Sequence, residues 1–392
     1  MIMLGPLTID MYLPALPTLA SDLGVTLGAA ELTLAVYFAG FAVGQLAVGP
    51  ALDIYGRTRP LKFGLLLYAL GTLGCALAPS LPMLIAARFI QALGGAVVVV
   101  VPRAVIRDLH SGAEAARAMS RLILVMGIAP IIGPLLGGAL LDAGWRAIFW
   151  TLVGVAALAF WVSRYIPETH RPAAVRTPFR KMLPALVTEP DFVTFTLVGG
   201  FAMAGMFAYI ASSSHILIEL YGIKPAHYGF YFGANAAAFI VMSQVNRLLL
   251  RWYSPLQIVR RAMFVLLTAS AVIFTATTLD VGGLAMLMLG LTLYLGALGT
   301  LAPNATALSL EYHGPRAGLA SAVMGATQSG LAATTVFVVS GFHDGSAAPL
   351  GIIMASSIAI SGAILLLHRI LSQRADGRAL LTTGVGARAP AK

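Results

Sequence analysis

Two ionisable side chains stand inside stretches that otherwise hold apolar and small residues. Asp10 lies in Leu7-Thr8-Ile9-Asp10-Met11-Tyr12-Leu13-Pro14-Ala15-Leu16-Pro17, and Arg88 in Leu84-Ile85-Ala86-Ala87-Arg88-Phe89-Ile90-Gln91-Ala92-Leu93-Gly94-Gly95. At the centre of a lipid-embedded helix each costs about 2.5–3.5 kcal/mol on the insertion scale, so such a group faces a cavity or a partner. A carboxylate in a wall that lines water can bind a cation or a proton. Pro6, Pro14 and Pro17 suit such a wall, because they leave carbonyls unpaired and bend the segment. Gln91, three residues after Arg88, shares its helix face, and Gly94 and Gly95 let a neighbouring helix come close.

The elements that must hold these groups follow from composition. Of 392 residues, 59% are apolar and 10% are Asp, Glu, Lys or Arg. A soluble domain carries roughly 25% charged residues, so the solvent for these side chains is lipid. A soluble enzyme, a disulfide scaffold and a disordered chain are excluded. Cys75 is the single cysteine, so there is no internal disulfide and no cysteine metal cluster. No His-Glu-x-x-His, Gly-Lys-Ser/Thr or serine-elbow pattern occurs, so neither a metal, an enzyme activity nor ATP-driven transport by this chain alone is expected.

Apolar stretches of spanning length number twelve: 2–20, 31–52, 61–79, 82–103, 119–141, 145–165, 191–213, 227–250, 257–279, 282–305, 316–340 and 348–369. The first is the least regular, and no cleavable signal peptide precedes it. Basic residues sort the loops. With the N-terminus inside, Arg57, Arg59, Lys62, Arg103, Arg107, Arg117, Arg121, the 167–190 segment and the C-terminal tail are cytoplasmic. The outer loops keep Arg146 and Lys224 beside Asp22, Glu31, Asp142, Glu219, Asp280 and Asp344. This asymmetry accounts for the net charge of +10 without a nucleic-acid partner. The expected organisation is a six-helix bundle over 1–166, a cytoplasmic linker over 167–190, a second six-helix bundle over 191–371 and a disordered tail over 372–392. Both termini are then cytoplasmic. Faint repeats support two halves: Gly56, Arg57 and Arg59 after the second span answer to Arg247 and Arg251 after the eighth, and Val125-Met126-Gly127 to Val323-Met324-Gly325.

The turn after the second span reads Gly49-Pro50-Ala51-Leu52-Asp53-Ile54-Tyr55-Gly56-Arg57-Thr58-Arg59. It resembles the signature loop of the major facilitator superfamily, Gly-x-Leu-x-Asp-Arg-x-Gly-Arg-Arg/Lys, with Ile54 in place of the Arg and Arg59 substituting for the last basic residue. The resemblance implies a conformational latch of Gly49, Asp53, Gly56, Arg57 and Arg59, in which Asp53 meets the N-terminus of the eleventh helix. In the fifth span, Gly127-Ile128-Ala129-Pro130-Ile131-Ile132-Gly133-Pro134-Leu135-Leu136-Gly137-Gly138 resembles the antiporter motif Gly-x-x-x-Gly-Pro-x-x-Gly-Gly. Pro130, Gly133, Pro134, Gly137 and Gly138 lie on one face of that helix, which permits close backbone contact.

The stretches Asp10 to Pro17, Arg103-Ala104-Val105-Ile106-Arg107-Asp108, Trp145 to Trp150, Pro303 to Leu308 and Arg316-Ala317-Gly318 look like bacterial Bcr/CflA-type drug-resistance transporters. This implies an all-α membrane protein of twelve helices in two pseudo-symmetric bundles, in the bacterial inner membrane. It also implies export of small lipophilic or cationic compounds in exchange for protons by alternating access. No cofactor is implied beyond the proton gradient, and a monomer is expected. Asp10 becomes the proton and substrate coupling site, with Arg88 its partner and Gln91 beside it. Family members carry more residues before the position of Asp10 than the nine found here, so either the start is misassigned or the first helix is truncated. Aromatic and polar residues of the later spans, with Tyr12, are candidate cavity walls: Phe207, Tyr231, Asn235, Asn304 and Gln328. Tyr228 and Phe230 read as boundary anchors, and His215 as a solvated group at the outer mouth. The alternatives are an exporter of a metabolite such as an amino acid or sugar, and more remotely a transporter-like sensor without turnover.

Overall fold

The first expected span breaks where its prolines fall. In a computed structural model of the chain it forms α1 (Leu4–Asp10), a 3₁₀ turn (Leu13–Ala15) and α2 (Leu16–Asp22). Pro14 and Pro17 each occupy the first turn of the piece that follows the break, where a missing N–H costs nothing. The structure describes residues 1–110, 112–169, 184, 186–311, 317–342 and 345–383, and among them there is no strand.

Beyond the break, long helices succeed one another with short turns: α3 (Leu27–Tyr55), α4 (Thr58–Ala76), α5 (Leu81–Leu109), α6 (Gly112–Leu140) and α7 (Arg146–Ser163). The second half holds α8 (Pro190–Ser214), α9 (Pro225–Leu249), α10 (Pro255–Thr278), α11 (Gly283–Leu310), α12 (Ala317–Gly341) and α13 (Ala348–Thr383). A π turn, His215–Leu220, prolongs α8. Among the described residues nine stretches are long and apolar enough to cross a membrane. The other three passes are the broken first span, α4, which opens on Arg59 and Lys62, and α9, which closes on Gln244, Asn246 and Arg247.

Two expectations change. The basic residues Arg103, Arg107, Arg117 and Arg121 sit within α5 and α6, not in a loop, because α5 runs on through Pro102 to Leu109 and α6 begins at Gly112. The last helix runs to Thr383, so residues 372–383 of the expected disordered tail are helical; the remainder of that tail and most of the 167–190 linker lie outside the described residues.

Packing follows the small residues. Within the first half α5 lies against α3 and α4, and α4 against α7; within the second, α11 packs on α10 and α13 on α8. A methyl group at Gly44 would come 2.7 Å from Ala96 Cβ, so glycine sets that approach. The most extensive contacts between the halves are α3 with α12 and α6 with α9. The repeated triplets lie at these two contacts. Gly127 on α6 faces Ile240 on α9, and Gly325 on α12 faces Gln45 on α3. Leu66, Leu70, Leu158, Phe264 and Phe337 are exposed on the outer faces of the bundles, as lipid-facing side chains are.

Candidate transport site and bundle contacts

Asp10 ends α1 at the break and is 4% exposed. Its backbone and Cβ rest on α6, where a methyl group on Gly133 would lie 2.7 Å from Asp10 Cβ. Gly137 sits against the backbone of Met11, and a methyl group there would overlap the Met11 carbonyl. Neighbouring positions of the same motif turn elsewhere: a methyl group on Gly138 would lie 2.8 Å from the Pro225 carbonyl oxygen, and Gly127 packs on Ile240, both on α9. The single face expected from the sequence is therefore divided. Gly133 and Gly137 hold the first span, while Gly127 and Gly138 hold the other bundle. Steps of three and four residues drift around a helix, so a face this broad meets two neighbours. Pro130 and Pro134 lie within α6, Pro134 buried between these contacts.

Arg88 is fully buried, but not as the partner of Asp10. No hydrogen bond or ion pair of the described residues joins the two, which corrects the expected pair. The guanidinium lies between aromatic rings instead, 4.5 Å from the Tyr12 centroid, 4.6 Å from Tyr37 and 5.8 Å from Phe149. Arg88 Nη1 donates to Gln91 Oε1 at 2.7 Å and, more weakly, to the Thr8 carbonyl at 3.4 Å. Gln91 passes the link on, donating to Thr72 Oγ1 at 2.9 Å, and Thr72 donates to the Tyr68 carbonyl. Thr8 and Tyr68 hydroxyls meet at 2.5 Å. Rings replace water around this cation, and the network fixes α1 to α4 and α5. Tyr12, expected on a cavity wall, is buried in it, with its hydroxyl on Thr33 Oγ1 at 2.8 Å.

At the basic end, Gly56 takes φ +79° and reverses the chain, a conformation that glycine adopts without strain. Arg57 forms a two-point ion pair with Asp108, Nε to Oδ2 at 2.7 Å and Nη2 to Oδ1 at 3.2 Å. Glu168 accepts from the backbone N–H of Arg57 at 2.8 Å and of Thr58 at 3.0 Å, a carboxylate at the positive end of α4. Asp108 and Glu168 were not singled out from the sequence, because their partners are remote in it. Arg59 is exposed and lines an open cleft with Lys62, Tyr55 and Glu168. Gly49 faces Ala322 of α12. The side chain of Asp53, and Arg316 beyond the eleventh pass's entry, lie outside the described residues.

In the second half Asn235 is fully buried and engaged: its amide donates to Tyr209 at 3.0 Å and its oxygen accepts from Thr292 at 2.9 Å. Asn304 likewise donates to Asn246 and to the Thr300 carbonyl. Both stitch the second bundle and are not open walls, because buried amides take partners from adjacent helices. Phe207 meets Phe38 of α3 across the halves, at 4.7 Å between centroids. Tyr231 is partly buried against the core, and Gln328 is partly buried facing Gly199 and Gly200 of α8. Tyr228, expected as a boundary anchor, is buried with its hydroxyl on Ser213 at 2.6 Å, whereas Phe230 is exposed.

The end opposite the Gly56 turn holds what the loop assignment missed. Glu31, placed in an outer loop, lies in the second turn of α3 and is fully buried against Ser340 of α12. His215, expected to be solvated, is buried and pairs with Glu219 at 2.7 Å. Asp22 is exposed and accepts from Trp145 Nε1 at 2.8 Å and Arg146 Nη1 at 2.7 Å. The Trp145 and Arg146 hydrogen bonds hold its carboxyl below the ordinary carboxylate range.

A two-bundle helical fold with a broken first helix, a basic glycine turn and a glycine-proline fifth pass defines a membrane transporter. The sequence matches the family described as Major Facilitator Superfamily over residues 1–336, and the chain belongs to it. It is 33% identical over 360 residues to the "Uncharacterized MFS-type transporter YdgK" of Bacillus subtilis (90% of this chain, 89% of the relative). It is 30% identical over 369 residues to the "Bicyclomycin resistance protein homolog" of Haemophilus influenzae (92% of each). Among solved structures, a D-xylose-proton symporter superposes with TM-score 0.70 at 16% identity, covering 92% of this chain and 95% of that one; at that identity the likeness speaks for the fold.

Proposed function

We propose that the protein exports small lipophilic or cationic compounds across the bacterial inner membrane in exchange for protons, with the basic end in the cytoplasm. The observation that carries this reading is Asp10: a buried carboxyl at a helix break, engaged by no hydrogen bond or ion pair of the described residues. Such a group holds a proton or a cation from the transport path in turn, and exclusion of one by the other is what couples them. Coupling requires only that proton and substrate favour different charge states of the site. Arg88 fixes the wall beside it through Thr8 and Tyr12 and does not neutralise it. The names of the drug-resistance relatives favour a drug-like substrate class.

The test is efflux from proteoliposomes under an imposed proton gradient, with bicyclomycin and lipophilic dyes as probes and amino acids and sugars as the contrasting set. Gradient-dependent export of the first set supports the reading. Export of only the second set would move the assignment to a metabolite exporter, and binding with no export in any condition would leave a sensor.

A further inference from the structure

A second buried carboxyl stands at the opposite end of the bundle contact from the Gly56 turn. Glu31 projects from α3 and is fully shielded from solvent. Its Oε1 has no hydrogen-bond partner, and its Oε2 meets only Ser340 Oγ of α12, at 3.4 Å. Ser340 has one hydroxyl proton, and the carbonyl of Val336 takes it at 2.8 Å. The serine therefore presents Glu31 with a lone pair. That arrangement suits a carboxylic acid able to donate and leaves a carboxylate without donors, which is costly in a buried place.

Among the described residues no cation is directed at Glu31. The π turn after α8 brings His215 and Glu219 to this end, and His215 Nδ1 is directed to Glu219 at 2.7 Å. On α2 the nearest charge, Asp22, is turned to Trp145 and Arg146. On α5 the charged group toward this end is Arg88, which faces Tyr12 and Tyr37; Arg103, Arg107 and Asp108 lie toward the other end of that helix. From α12 Glu31 meets Ser340, and His343 and Asp344 beyond it lie outside the described residues. Further along α3, the Phe38 ring closes on Phe207 of α8, and the Leu13–Ala15 turn packs on α8 and α9. Water is excluded while the halves touch here.

We infer that Glu31 is a second proton-binding site, and that the proton it binds holds the two halves together at this end through Ser340. Losing the proton leaves a buried ionised carboxylate with no donor free for it, since the Ser340 proton is held by the Val336 carbonyl. The contact with α12 then parts and water hydrates the charge, opening this end. The binding stands on the geometry of Glu31, and only its place in a cycle rests on the exporter reading above.

The test is the distance between spin labels introduced by Ser80→Cys and Val281→Cys, exposed positions at this end of opposite halves, in a Cys75→Ala background in lipid. Between about pH 5 and about pH 9, a range spanning the titration of buried carboxyls, wild-type distances are expected to lengthen. Glu31→Gln, which keeps shape but not charge, is expected to stay short throughout, and Asp10→Asn to keep the wild-type response. Equal lengthening in Glu31→Gln and wild type overturns the inference, as does a wild-type distance that ignores pH. If the response vanishes in Asp10→Asn and persists in Glu31→Gln, the inference fails while the Asp10 reading stands. Should Glu31→Gln not fold, Ser340→Ala is decisive: it is expected to show the longer distance already at low pH, and unchanged wild-type behaviour overturns the inference.

Discussion

Gly133 and Gly137 allow a worked test of how α6 supports the candidate site. A methyl group on Gly133 would sit 2.7 Å from Asp10 Cβ. Carbon atoms pack at about 3.5–4.0 Å, so α1 and α6 must separate by about 1 Å. Gly137→Ala is harsher, because the new methyl meets the Met11 carbonyl, a backbone atom with no rotamer to move. Overpacking of this kind costs roughly 1–3 kcal/mol, with Gly137→Ala at the upper end. Gly154→Ala on α7, whose methyl meets nothing within 4 Å, is the control and is expected to be neutral. Thermal unfolding of purified protein reads stability, and efflux at matched membrane levels reads function. Both α6 variants are expected to unfold at lower temperature and to export poorly. Gly133→Ala should lose more export per degree lost, since its methyl presses on Asp10 itself. Wild-type unfolding and export in both variants would refute the claim that this face sets the Asp10 position.

Other consequences follow from the same contacts. Arg88→Lys keeps the charge but not the flat group between Tyr12 and Tyr37, and is expected to lose about 1–2 kcal/mol, read as a lower unfolding midpoint with reduced export. Asp108→Asn removes the carboxylate paired with buried Arg57; a loss of about 1–3 kcal/mol is expected, and denaturant titration would show it. Asp22 has its folded carboxyl below the ordinary range through Trp145 and Arg146. Its contribution is therefore present above the unfolded value and fades as pH falls through the lower folded one. Asp22→Asn should be less stable than wild type at neutral pH, with the difference closing in acid; a gap unchanged by acid would contradict this.

Local chemistry was legible where the cause was local. Pro14 and Pro17 announced the break that carries Asp10, because a missing N–H acts within one turn. Alternation of apolar runs with basic turns gave the twelve passes, and the glycine-proline spacing marked the fifth as a close-contact helix. Which neighbour each glycine meets was not legible, since Gly137 and Gly138 face different helices across one residue step. Arg88 was recognised as buried, yet its cage needs Tyr12, Tyr37 and Phe149 from three other segments. Glu31 was misread because a carboxylate at the start of an apolar run looks interfacial until Ser340 covers it. Asn235 and Asn304 looked available for the same reason, their partners being side chains 26 to 58 residues distant.

The central claim is that proton and substrate exclude each other at Asp10, and proton counting tests it directly. An exported compound is added to purified protein in weakly buffered solution, and the pH change is recorded for wild type and for Asp10→Asn of equal folded content. The account predicts proton release from wild type as the compound binds and its loss in Asp10→Asn. Release from Asp10→Asn equal to that of wild type would place the coupling elsewhere and contradict the account.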